Sequence, residues 1–150
     1  RSNDVELDFD FQRVTEKSKD NPVFYIQYAF ARIHSIFRQL NINIENAINI
    51  DDKKFDLNYY EIQILKKISE WPRCVETSTI KIEPHRITFY LYDLVTLFHS
   101  YWNLGNENKD LRFAQIESSS HSHRLKLLQA LSIVIKNGMS ILGVTTPRSM

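Results

Sequence analysis

Asp20-Asn21-Pro22-Val23-Phe24-Tyr25-Ile26-Gln27-Tyr28-Ala29-Phe30-Ala31-Arg32-Ile33 is the stretch on which the fold turns. Asn21 suits the cap of a helix, where its side chain can satisfy free amides, and Pro22 fits a first turn that needs no N–H. Beyond it, Val23, Ile26, Phe30, Ile33, Phe37 and Leu40 recur at steps of three and four, which predicts one buried face of a long helix. At about a hundred degrees per residue, Tyr25, Tyr28 and Arg32 share a face turned away from that stripe. Two phenol rings and a guanidinium so placed suit stacked bases and a held phosphate. They also suit packing on a second helix or a neighbouring domain, with the arginine paired to an acid, and aromatics at helical spacing are more often packing.

Working outward, residues 41–57 are rich in Asn and Asp and read as a loop. A shorter helix follows, with Ile62, Leu65 and Ile68 facing inward and Trp71-Pro72 as its end. The stretch from Pro72 to Ile82 mixes β-branched residues into a helical position and is read as a helix. Glu83-Pro84 opens the next one, whose buried stripe is Ile87, Leu91, Leu94, Val95, Phe98 and Trp102. Residues 104–123 are polar. The last long helix starts near residue 123 and buries Leu127, Leu128, Leu131, Val134 and Ile135. Gly138 is expected to break or kink it, and Gly143 to cap it before a Thr-Thr-Pro tail. Upstream, Val5 to Phe11 alternates apolar and acidic residues, the pattern of an extended edge. The fold expected is all-α: an antiparallel helical bundle with a short extended N-terminal lead-in and no internal repeat.

Composition excludes more than it assigns. The 150 residues are 43% apolar and 25% charged, with a net charge of +1, so no global field favours nucleic acid and any RNA surface must be local. One cysteine, Cys74, makes an internal disulfide impossible and fits a reducing cytoplasm. No membrane span, signal peptide, glycine-rich phosphate loop or metal-ligand spacing is present. His121 and His123 lie in a serine run and are expected to be solvated rather than metal ligands. His85 and His99 read as hydrogen-bonded structural histidines, since nothing near them resembles a nucleophile. Asp8 and Asp10 read as a solvated edge. The chain opens on Arg1 and closes on Met150 after a polar tail, which reads as a natural C-terminus on a piece of something longer.

The opening stretch resembles the DNPVxYxQYAxARI string of arginyl-tRNA synthetases. Three more segments, in order, resemble the same family. Leu7-Asp8-Phe9-Asp10 matches its LDFD. Glu83-Pro84-His85-Arg86 with Tyr90-Leu91-Tyr92-Asp93-Leu94 and Phe98-His99-Ser100 matches EPHRxxxYLYDLxxxFHS. Lys136 to Val144 matches KNGLxLLGV. Linked motifs over nearly the whole chain are far more specific than one short match. Two positions depart: Phe30 stands where the family has histidine, and in Pro147-Arg148-Ser149-Met150 the tail arginine is displaced by one. The 117–123 segment has no family counterpart.

The resemblance implies that residues 1–20 end a catalytic core and that 21–150 form a helical anticodon-binding domain of the DALR type. It implies that the HIGH-like and KMSKS-like ATP signatures lie elsewhere, so that this stretch alone neither activates arginine nor holds a cofactor, ATP being used by the full-length enzyme. The partners implied are the anticodon loop of tRNA(Arg) and the enzyme's own catalytic domain, for a cytoplasmic monomer with no membrane contact. The residues implied in tRNA binding are Tyr25, Tyr28, Arg32 and Met150, with Lys17, Lys19 and Asn21 from the preceding loop and Tyr101 from the end of the Phe98-His99-Ser100 helix. Every arginine codon has G in the middle, so the site should accept C, which demands an acceptor for its amine, partners for its ring edge and an aromatic platform. A helical protein-binding adaptor, or another class I synthetase's anticodon domain, are the alternative readings.

Overall fold

A computed structural model of the protein describes residues 10–11, 15–49, 56–113 and 122–150. Val5 to Phe9 of the expected extended lead-in lie outside these residues. Phe11 and Thr15 have helical backbone, with the Thr15 hydroxyl donating to the Phe11 carbonyl at 2.9 Å.

Helix α1 spans Pro22–Gln39 and starts as the sequence dictates: the Asn21 side-chain oxygen accepts from the amides of Val23 (3.1 Å) and Phe24 (3.3 Å). Ile26, Phe30, Ile33 and Phe37 are buried, whereas Val23 at the head of the predicted stripe is exposed. After a 3-10 turn at Ile44–Asn49 the chain enters α2, Tyr59–Ser69, through a capping box in which Asn58 and Glu61 bond each other's backbone.

The inward register of α2 differs from the expectation. Ile62 and Leu65 are exposed, while Glu61 and Ile64 are buried and Ile68 is partly so. The carboxylate tolerates this because its neighbours satisfy it. Tyr101 donates to it at 2.6 Å, Arg124 Nε at 2.6 Å and the Asn58 amide at 3.0 Å, with His123 Nε2 at 3.2 Å. His123 is therefore a buried residue at the start of the last helix and not part of a solvated loop; His121 lies outside the described residues. Burial alone would raise the Glu61 pKa. Hydrogen bonds from Tyr101, Asn58 and Arg124, with the Arg124 charge, outweigh it and hold the carboxyl below its usual value.

Trp71-Pro72 does not end α2 but opens α3, Trp71–Ile80, after the single linking residue Glu70. A proline in a first turn removes no intrahelical bond, so the dipeptide serves as a start signal. Helix α4, His85–Glu107, runs past the point where the sequence turns polar and ends only at Asn108. It packs against α1, α2, α3 and the last helix, α5, Ser122–Ile141. Leu91, Leu94, Val95 and Phe98 of α4 are fully buried, each contributing about 1.5–3 kcal/mol of apolar burial. Helix α5 buries Leu127, Leu128, Leu131, Val134 and Ile135 as expected, with Leu125 and Met139 added.

Gly138 does not interrupt α5. A Cβ there would sit 2.9 Å from both methyl carbons of Leu91, so the glycine lets α4 and α5 approach closely. Gly143, at φ +71°, closes the helix: its amide bonds Ser140 O at 3.0 Å and the Val144 amide bonds Met139 O at 2.9 Å. The same closure ends α1 through Asn41 (φ +54°) and α3 through Ile82 (φ +55°). Among the described residues no helix is long and apolar enough to cross a membrane, and no group of three or more His, Cys, Asp or Glu is placed to hold a metal ion.

Candidate nucleic-acid interface

The outer face of α1 divides into an inner and an outer tyrosine. Tyr25 is half-buried, its ring 5.4 Å from Tyr92 and 4.6 Å from His99, and burial raises its pKa first of all. For this residue the packing reading of the sequence holds. Tyr28 is 37% exposed. Its ring stacks at 5.7 Å on His99 and at 6.2 Å on Phe24. Four residues on, Arg32 Nη2 donates to the Tyr28 hydroxyl. The guanidinium carbon lies 4.4 Å from the Tyr28 ring centre and 4.9 Å from that of Trp102.

His99 beneath this stack is buried, and its Nε2 finds no hydrogen-bond partner among the described residues. Desolvation first, and the Arg32 charge second, push its pKa down to about 4. The imidazole is thus a neutral platform at physiological pH, hydrogen-bonded to the Tyr25 backbone as a structural histidine should be, with Nε2 left over.

Tyr28, Arg32 and Met150 line one cavity of about 220 Å³ together with Ser35, Gln39 and Trp102. Met150 comes from the far end of the chain and is brought there by two clamps on the tail. Gln27 Nε2 donates to the Thr145 carbonyl at 2.8 Å, and Arg38 Nη1 to the Arg148 carbonyl at 2.7 Å. Both donors stand on α1, so one helix builds the stack and holds the tail beside it.

The remaining predicted residues fare differently. Tyr101 is fully buried, its hydroxyl shared between Glu61 and the Asn58 side-chain amide at 2.8 Å, so it belongs to the core and reaches no ligand. Trp102, assigned to the buried stripe by the sequence, is partly buried: it packs on Phe98 and Phe113 and also lines the cavity. Taking about 100° per residue, the buried arc of α4 centres on Ile87, Leu94, Phe98 and Gly105, and Tyr101 falls nearer that centre than Trp102. Asn21 is occupied at both ends of its amide, capping α1 and donating from Nδ2 to the Glu16 carbonyl at 3.0 Å. Lys17 and Lys19 are exposed and do not line the cavity.

The chemistry available is specific. Two rings and a guanidinium form a stacking platform with a fork of donors. Ser35 and Gln39 add acceptor oxygens at the same cavity. Nothing in it resembles a nucleophile and base set in contact.

The chain as a whole has relatives among known proteins. The chain is 54% identical over its whole length to the arginine–tRNA ligase of Pelagibacter ubique, covering 26% of that protein. A candidate arginyl-tRNA synthetase of Campylobacter jejuni superposes on the full chain with a TM-score of 0.83 at 26% identity, over 31% of its own length. The arginyl-tRNA synthetase of Thermus thermophilus matches 96% of the chain with a TM-score of 0.74 at 25% identity, over 24% of its own length. The chain spans about a quarter of the length of the curated relatives it matches. Its residues 26–150 match the family described as DALR anticodon binding domain, which takes in four-fifths of the chain and every wall of the cavity, and the chain belongs to that family.

Proposed function

We propose that this chain is the anticodon-reading part of an arginine–tRNA ligase, and that the cavity of Tyr28, Arg32, Trp102 and Met150 receives one unstacked base of the anticodon loop. The observation that supports this most is the Arg32 guanidinium within cation–π distance of two rings at the edge of a base-sized cavity. A cytosine entering there would meet arginine donors for its ring acceptors and the Ser35 or Gln39 oxygen for its exocyclic amine. The ATP-dependent attachment of arginine belongs, on this reading, to the rest of the polypeptide. The partners are then tRNA(Arg) and that polypeptide's own catalytic domain, in a cytoplasmic monomer. The chain itself supplies binding and no cofactor, and arginine-dependent ATP–pyrophosphate exchange by the chain alone would contradict this.

The test is a titration with an arginine anticodon stem-loop and with a copy whose middle C is replaced. The expected preference for C is about tenfold to a hundredfold, the scale of one good edge contact with stacking. Equal affinity for the two would remove specific reading. No binding to either would remove the RNA reading and favour a protein-binding helical adaptor.

A further inference from the structure

We propose that a second cavity, on the opposite flank of α1 from the base cavity, is a subsite for a backbone phosphate of the same RNA, held by Lys136 and Arg148. The inference rests on the base-reading proposal and deepens it. This cavity, of about 210 Å³, is lined among others by His34, Glu45, Gln129, Ser132, Lys136 and Arg148.

Three observations support it. First, charge is uncompensated there. Lys67, Arg86, His123 and Arg124 take part in ion pairs with Glu70, Asp93, Glu83 and Glu61. Lys136, Arg148 and Arg38 make none of these pairs, and among the described residues Glu45 is the one carboxylate at the cavity. In a chain of net charge +1 such a grouping is a local feature and not a reflection of overall basicity.

Second, the floor is polar and suited to an anion. His34 is only 8% exposed, with Nε2 3.4 Å from the Ser132 hydroxyl. Burial first, then the charges of Arg148, Arg38 and Lys136, lower its pKa. Neutral imidazole and hydroxyl offer hydrogen bonds without a further desolvated charge.

Third, the tail joins the two cavities. Arg38 holds the Arg148 carbonyl at 2.7 Å, so the backbone is fixed where the chain crosses α1. Arg148 lines the His34 cavity, while Ser149 and Met150, the next two residues, line the base cavity. A strand whose base enters one side can carry a neighbouring phosphate across the tail toward the other. Phosphate contacts set register while base contacts set sequence, and the two flanks divide along that line.

The test uses Lys136→Gln, Arg148→Gln and the double variant in the stem-loop titration, repeated from low to high salt. Both side chains are exposed, so folding is not at stake, and the Arg148 carbonyl survives the substitution. In the double variant the slope of log affinity against log salt should shrink by about 0.7, one phosphate's share on a single strand. That corresponds to a loss of about fivefold at 0.1 M salt, fading toward none at 1 M. The loss should be equal on the cognate and the middle-substituted stem-loop. An unchanged slope would overturn the phosphate subsite, and so would a loss confined to the cognate loop, while leaving the base cavity standing. Failure of the unsubstituted chain to bind any stem-loop would remove both proposals.

Discussion

Tyr101 donates its phenolic hydrogen to Glu61 across 2.6 Å in the fully buried interior between α2 and α4. A hydrogen bond to an ionised acceptor is typically worth about 1.5–3 kcal/mol. Tyr101→Phe should therefore lower the stability measured by urea unfolding at pH 7 by that amount and leave the stem-loop affinity unchanged. A loss of RNA binding at full stability would restore Tyr101 to the interface.

Glu61→Gln strands Arg124 beside a neutral partner, and breaking a buried pair costs about 3–5 kcal/mol. The pH dependence has a definite sign. The folded pKa lies below the ordinary 4.5, so this stabilisation is present above pH 4.5 and is lost as pH falls through the folded value. The glutamine variant should show a flatter stability profile below pH 4.5. A wild-type acid limb in that variant would exclude Glu61 as its source.

His99 acts in a higher window. Its pKa is lowered from 6.5 to about 4, so the unfolded chain takes up a proton that the folded one refuses. Stability should decline as pH falls from 6.5 toward 4, by an order of magnitude of about 3 kcal/mol. His99→Gln should remove its share of that decline and leave the part due to His34, whose pKa is also lowered, read from urea midpoints at closely spaced pH values.

Ile82 is a β-branched residue at φ +55°, 83% exposed, in a position that favours glycine or asparagine. Ile82→Asn should stabilise the chain by about 1 kcal/mol, since left-handed backbone costs roughly 1–2 kcal/mol for ordinary residues. Thermal unfolding checks it, and a lower midpoint would mean that the Ile82 side chain makes contacts that outweigh its strain.

Trp102→Ala removes one ring from the Arg32 pair, together with its contacts to Phe98 and Phe113, so stability is measured alongside binding. Stem-loop binding should weaken by about 1–3 kcal/mol, the value of one stacking surface. Unaltered affinity would exclude Trp102 from the base cavity.

Much of this was legible in the residues because helices announce themselves locally. Asn21-Pro22 and the Ile26–Phe37 stripe depend on contacts within a few residues, and the first helix follows from them. The errors arose where a long-range partner decides the outcome. Glu61 turns inward only because Arg124, Tyr101 and His123, distant in the chain, complete its shell. The family resemblance offered Tyr101 as an RNA contact and helical spacing put Trp102 on the buried stripe, although both lie within one wide arc and only the neighbours of α4 decide between them. Of the proposed contacts, Tyr28, Arg32 and Met150 converge on one cavity, whereas Tyr25 and Asn21 are engaged in packing and capping. The clamps on the tail could not be read at all, because Gln27 and Arg38 reach carbonyls more than a hundred residues away.

Those clamps grip peptide oxygens, which every residue type carries alike. The course of the tail is thereby uncoupled from its spelling. Sequence drift between Thr145 and Met150, such as an arginine moved by one place, can change what the tail presents without changing where it runs. The end of the chain can in this way change the surface it offers at the cavity while the bundle that carries it stays as it is.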